Sequence, residues 1–64
     1  MEKLVIEIKT ANAAFQDGMI GHEISRILKG LAEDILNDGN LESFVILRDI
    51  NGNSVGFASY EQEE

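Results

Sequence analysis

Apolar and polar residues alternate near the start of the chain. Apolar side chains occupy every second position at Leu4, Ile6 and Ile8, while Glu7 and Lys9 lie between or after them. A period of two is typical of a strand with one buried face, and β-branched residues favour the same structure. The pattern predicts a first strand over residues 3–10.

A helical period replaces this alternation from about residue 19 to residue 37. Apolar positions there follow steps of three and four residues, at Ile20, Ile24, Ile27, Leu28, Leu31 and Ile35. Such a stripe is typical of a helix with one face on a core. On the other half, Glu23 and Arg26 are three residues apart and can form an ion pair. The segment 38–40, Asp-Gly-Asn, is expected to end the helix.

Two further apolar segments, 43–49 and 54–60, predict a second and a third strand joined by a hairpin at Asn51-Gly52. A two-residue turn would place Ile50 opposite Asn53. A type I turn from Asp49 to Gly52, followed by a bulge, is the alternative. We favour the type I turn. It pairs Val45 with Phe57 and Leu47 with Val55, and so collects large apolar residues on one face.

The predicted order is β-α-β-β, which indicates an α+β fold with a three-stranded sheet and one helix packed on one face. Residues 1–60 form the expected single domain, and residues 61–64 an acidic tail that frays. The sequence leaves open whether the first strand lies beside the second or the third. The expected helix–sheet core contains Ile24, Leu28, Leu31, Ile35, Val45, Leu47 and Phe57.

The preferred register leaves one sheet face without a helix. An ordinary solvated face would carry Thr, Lys and Glu, whereas this one carries aromatic and aliphatic residues. Its candidate interface residues are Phe44, Ile46, Arg48, Ala58 and Tyr60. Gly30 is a second candidate contact point. A glycine inside a helix costs about 1 kcal/mol relative to alanine, and close approach by a partner would explain it.

Composition narrows the chemistry. The 64 residues include no cysteine and one histidine, which excludes disulfides and makes a metal site within one chain improbable. His22 and Glu23 are adjacent on the helix and diverge. We therefore expect no catalytic residue, cofactor or metal. The net charge of -7 disfavours direct nucleic-acid binding, and the apolar segments are too short to span a membrane. A cytoplasmic location is expected.

Three segments of the chain resemble short, uncharacterised proteins of bacteria and of phages or prophages. They are IEIKTANAAF, EISRIL and LRDINGNSVG, which together reach from Ile6 to Gly56. The NAAF and LRDINGN-x-VG pieces carry most of the resemblance. It implies a phage-like context and no particular activity.

These observations favour a small non-enzymatic protein–protein interaction module, acting as a homodimer and, in a phage-like context, as a modulator of a host protein. Small domains without disulfides or metals often gain stability by association. The alternative is an acidic inhibitor that mimics nucleic acid, or a nucleic-acid-associated protein. A third hypothesis is a ligand site formed between subunits.

Overall fold

The computed structural model describes residues 2–38 and 44–62 of the chain. In chain order the elements are β1 (Glu2–Ile8), a short 3-10 turn (Ala13–Phe15), α1 (Ile20–Asp38), β2 (Phe44–Arg48) and β3 (Ser54–Gln62). The predicted β-α-β-β order and α+β class are confirmed. The expected helix end at residues 39 and 40, and the predicted first position of the second strand, residue 43, lie outside the described residues.

The three strands form one open antiparallel sheet in the order β1-β3-β2. The first strand therefore lies beside the third, which settles the question that the sequence left open. β3 continues to Gln62, and Lys3 Nζ lies 3.4 Å from Glu61 Oε2 across the β1–β3 pair. Residues 61 and 62 thus belong to the sheet rather than to the tail expected to fray. Residues 63 and 64 lie outside the described range.

The hairpin between β2 and β3 closes through the predicted type I turn. The Gly52 amide donates to the Asp49 carbonyl at 3.0 Å, and the Asp49 amide donates to the Asn53 carbonyl at 2.9 Å. Gly52 has a φ of 85°, in the left-handed region that favours glycine. The favoured turn is therefore confirmed, with Asp first and Gly last as a type I turn prefers.

A second irregularity shifts the register beyond the turn. Arg48 pairs with Ser54, but Leu47 pairs with Gly56, so Val55 is an extra residue on β3. The predicted pairs of Leu47 with Val55 and of Val45 with Phe57 are consequently wrong. The observed pairs beyond the bulge are Val45 with Ala58 and Ile46 with Phe57.

Gly56 explains where this bulge lies. The residue pairs with Leu47 on one side and with Ile8 of β1 on the other. A Cβ atom built on Gly56 would overlap the carbonyl oxygen of Glu7. Only glycine lets the β1 backbone approach β3 this closely, and the extra residue Val55 remains available to enter the core.

The core lies between α1 and the β2–β3 half of the sheet. Its buried side chains are Phe15, Ile27, Leu31, Leu47, Val55 and Ala58, with Ile8, Ala14, Ile24, Ile35 and Val45 packed around them. Phe15, in the turn before the helix, closes one end. Two expected members are absent: Leu28 is 38% exposed, and Phe57 is on the other face of the sheet.

We predict that Gly56→Ala destabilises the protein by about 1–3 kcal/mol or more, because the added methyl group must displace the β1 backbone. Urea unfolding followed by circular dichroism measures the change.

Gly21→Ala is the matched control, because a Cβ at this helical position meets no atom within 4 Å in the part of the chain that the structure describes. It should leave stability unchanged or raise it by up to about 1 kcal/mol. Equal urea midpoints for the two variants would contradict the close approach at Gly56.

Candidate functional site

The hairpin turn contains a buried carboxylate that joins it to a second segment of the chain. Asp49 is 4% exposed. Its Oδ1 accepts hydrogen bonds from the backbone amides of Asn51 and Asn53, at 2.9 and 2.8 Å. Its Oδ2 accepts from Asn12 Nδ2 at 2.8 Å and from Asn53 Nδ2 at 3.2 Å. The carboxylate therefore fixes the turn and ties it to the segment before α1.

A second buried carboxylate reaches the same turn from the helix. Glu23 is 5% exposed; its Oε1 lies 2.7 Å from Arg26 Nε, and its Oε2 accepts from the Ile50 amide at 2.8 Å. Arg26 Nη2 also donates to the Arg48 carbonyl at 3.2 Å. The predicted Glu23–Arg26 pair is confirmed. Its burial, and its role in holding α1 against the hairpin, were missed by the sequence analysis.

Both carboxylates are held in the ionised form. The hydrogen bond from Arg26 is the largest influence on Glu23 and lowers its pKa, with burial opposing. For Asp49, burial acts most strongly and raises the pKa, but the combined hydrogen bonds from Asn53, Asn51 and Asn12 outweigh it and leave the pKa lowered. Their protein partners occupy all four carboxylate oxygens, so the cluster is structural.

The other candidate is the side of the sheet that faces away from α1. Phe44 and Ile46 are 53% and 44% exposed there, and Phe57 is half-buried beside them. The rings of Phe44 and Phe57 are stacked, with centroids 5.5 Å apart and planes at 15°. We call this side of the sheet the outer face, and Phe44, Ile46 and Phe57 form its apolar surface. Its aromatic pair is a fixed, flat apolar surface.

The structure brings together only part of the predicted interface. Phe44, Ile46 and Arg48 alternate along β2 on the outer face, and Arg48 Nη1 donates to the Gly52 carbonyl at 3.3 Å. Ala58 and Tyr60 were placed wrongly. Ala58 is 1% exposed in the core, and Tyr60, two residues on, shares its side of the sheet.

The bulge at Val55 is the physical reason for this correction. One extra residue reverses the faces of the positions that follow, so Phe57 replaces Ala58 and Tyr60 on the outer face. The sequence contained a signal for it, since a glycine inside a strand pattern, here Gly56, often marks a bulge or a close backbone approach.

The outer face holds a shallow depression of about 220 Å³, whose rim includes Glu7, Lys9 and Phe44. Small-molecule sites usually enclose about 300–1,000 Å³. Within residues 2–38 and 44–62, no group of three or more His, Cys, Asp or Glu side chains is arranged to hold a metal ion. The geometry of this face therefore suits a flat contact better than an enclosed ligand.

Among the described residues, no helix is long and apolar enough to cross a membrane. The chain matches no protein-family model, no curated protein and no solved structure. The contacts of its own residues are thus the basis for assigning a function.

The lowered pKa values of Asp49 and Glu23 predict a loss of stability in acid. For both groups the stabilisation is complete above the ordinary pKa, 3.8 for Asp49 and 4.5 for Glu23, and is lost as the pH falls through the folded value. Asp49→Asn removes one titrating group and two accepted hydrogen bonds. We expect it to lower the urea midpoint strongly at pH 7, with a smaller difference from the unmodified protein at acid pH.

Glu33→Gln is the control, because it changes the charge in the same way at an exposed helix position. Its urea midpoint should follow that of the unmodified protein at both pH values. A gap between Asp49→Asn and the unmodified protein that stays constant with pH would contradict the ionised state of Asp49.

Proposed function

We propose that this protein is a non-enzymatic binding module that acts through protein–protein contact, with the outer face as its contact surface and a homodimer as its working form. The observation that carries the proposal is the exposure of Phe44 and Ile46 on the sheet face opposite the helix. Contiguous exposed apolar side chains of this kind commonly mark protein interfaces.

The composition of the outer face supports a protein partner. Aromatic residues are enriched at the centres of protein interfaces, where they bury a large area with few rotatable bonds. The stack of Phe44 on Phe57 already restricts both rings before any partner binds. Less side-chain freedom is therefore lost on association. Glu7, Lys9 and Arg48 provide a charged rim at which a partner can form polar contacts.

The distribution of basic residues favours a protein over a nucleic acid. Lys3 is paired with Glu61, and Arg26 with Glu23. Lys3 and Arg48 lie opposite the two ends of β3, at Glu61 and Ser54, about 23 Å apart at the usual rise of a strand. Because Lys3 and Arg26 are each paired with a carboxylate, and Lys3 lies far from Arg48, these three cations do not combine into a surface that tracks a phosphate backbone.

The resemblance to short phage-like proteins suggests the kind of partner. In such a context the bound protein belongs to the host, and the chain modulates it by occupying a surface. A cytoplasmic location belongs to the same proposal. The net charge of -7 favours a partner with a basic rim around an apolar patch, because opposite charges speed association.

Affinity capture from a host lysate, with and without nuclease, tests this function. The immobilised protein should retain a protein partner after nuclease treatment. With that partner purified, Phe44→Glu should weaken binding by about tenfold or more, because it places a charge at the centre of the apolar contact. Isothermal titration calorimetry measures the affinity.

Leu36→Glu is the matched control, since it makes the same kind of change at a helix residue that is 80% exposed and away from the outer face. Its affinity should stay within about twofold of the unmodified protein. Equal losses for both variants, or release of the partner by nuclease, would refute the outer face as a protein contact surface.

A further inference from the structure

β2 is an edge strand with little protection against pairing. The order β1-β3-β2 leaves one long side of β2 without a neighbour among the described strands. Its five residues, Phe44–Arg48, contain four apolar side chains and a single charge at the end. At the other edge, β1 carries Glu2, Lys3 and Glu7. Since charged residues commonly block edge-to-edge association, β2 is the edge open to another strand.

The backbone of β2 fixes which residues such a strand would meet. The amide of Asp49, the residue after β2, donates to the carbonyl of Asn53, the residue before β3. The N–H and C=O groups of successive residues in a strand point to opposite sides. Counting back from Asp49, the N–H and C=O groups of Phe44, Ile46 and Arg48 therefore point away from β3. The hydrogen bond from Arg26 to the Arg48 carbonyl agrees with that direction. These three residues therefore carry the outward donors and acceptors of the edge, of which the Arg48 carbonyl already accepts from Arg26.

The flank of α1 above this edge carries a groove. Arg26, Gly30 and Asp34 line a groove of about 140 Å³ that runs along β2. A Cβ on Gly30 would meet no atom of the described residues within 4 Å, so their packing does not require glycine there. Glycine destabilises a helix interior relative to alanine, and contact with something outside the chain would account for it.

The charges on this flank are arranged so that the flanks of two copies of the chain can attract each other. Arg26 and Asp34 each lie four residues from Gly30, on opposite sides of it. When two such helices cross antiparallel at Gly30, each Arg26 faces an Asp34 of the other copy. Asp34 forms no ion pair with any residue in 2–38 or 44–62, so its carboxylate is available for this contact.

The strand below has the same symmetry about the same point. Phe44 and Arg48 each lie two residues from Ile46. Glu23 contacts Ile50 and Arg26 contacts Arg48, so α1 runs antiparallel to β2. Arg26 to Asp34 spans about 12 Å of helix, and Arg48 to Phe44 about 13 Å of strand. One two-fold axis can therefore pass through both Gly30 and Ile46.

We propose that two copies of this chain pair antiparallel through their β2 edges, Ile46 opposite Ile46, into one six-stranded sheet with the helices crossing at Gly30. The inference rests on the homodimer of the proposed function and assigns its surface. The Phe44 amide of each copy donates to the Arg48 carbonyl of the other. Arg26 keeps its Nε on Glu23 and turns its terminal nitrogens to Asp34 of the second copy.

The same pairing enlarges the outer face. Phe44 of one copy lies opposite Arg48 of the other, where the guanidinium can rest on the ring as a cation–π contact. The two outer faces become continuous across the seam. A closed two-fold dimer also removes the unpaired β2 edge from solution, which limits growth into larger assemblies.

Sedimentation equilibrium from about 5 to 500 µM tests the pairing. The unmodified protein should reach twice its chain mass of 7.1 kDa. Gly30→Gln should raise the dissociation constant by about tenfold or more, because the added side chain separates the helices. Ala32→Gln adds the same side chain at an exposed position on the other flank, and should change the constant by less than about twofold.

Charge variants test the register. Asp34→Arg should weaken the dimer by about tenfold, because it opposes Arg26 at both ends of the helix contact, whereas Asp34→Glu should preserve it. Glu2→Arg makes the same change of charge at β1 and should have no effect. Circular dichroism confirms that each variant is folded.

Phe44→Glu separates this proposal from the contact function of the outer face. The new carboxylate lies opposite Arg48 of the second copy, so the edge-paired dimer persists while partner binding is lost. A dimer that Phe44→Glu abolishes, or that Gly30→Gln leaves intact, overturns the edge pairing. A monomer at every concentration overturns both the edge pairing and the homodimer. Binding of a partner by the outer face is tested separately, by the capture and calorimetry experiments.

Discussion

The carboxylate of Asp49 is the contact on which the arrangement of the other elements depends. It accepts hydrogen bonds from two backbone amides of its own hairpin and from the side-chain amide of Asn12, which is 37 residues away along the chain. Glu23 reaches the same turn at the Ile50 amide. In a domain with a small core, these buried hydrogen bonds fix the position of the hairpin relative to the helix and the first loop, a position that apolar contacts alone would leave loosely specified.

The sheet then depends on a single close approach. β3 must accept β2 on one side and β1 on the other, and Gly56 is the position at which the β1 backbone comes nearest. The bulge at Val55 satisfies both neighbours because it adds a core side chain without placing a Cβ under β1. The bulge also moves Phe57 out of the core. On the outer face, the ring of Phe57 stacks on Phe44. The candidate contact surface is thus a consequence of how the central strand is packed.

Much of the fold follows from local patterns. The alternation in β1, the helical stripe of α1 and the turn at Asp49–Gly52 are each visible within a short stretch of sequence. The structure contains the strand, the helix and the turn that these patterns predict. The failures are non-local. The predicted register treated β3 as a regular strand, although the bulge depends on β1, which is distant in sequence. Glu23 was placed on the solvent side because helical periodicity describes one element and does not include the turn that covers it. Of the candidate interface, the β2 residues Phe44, Ile46 and Arg48 were placed correctly, and the β3 residues Ala58 and Tyr60 were not.

The central position of β3 also governs how the chain folds during synthesis. Each of the other two strands finds its backbone partners in β3, so β1 cannot pair until the residues of β3 have emerged from the ribosome. Bringing β1 and β3 together closes a long loop, and only the contacts of the complete sheet offset the entropy that this loop closure loses. A chain that is cut short before β3 therefore retains a helix and two strands without neighbours, which is the kind of species that proteases remove quickly. Because β3 pairs with both other strands, the sheet forms only when the chain is intact through β3.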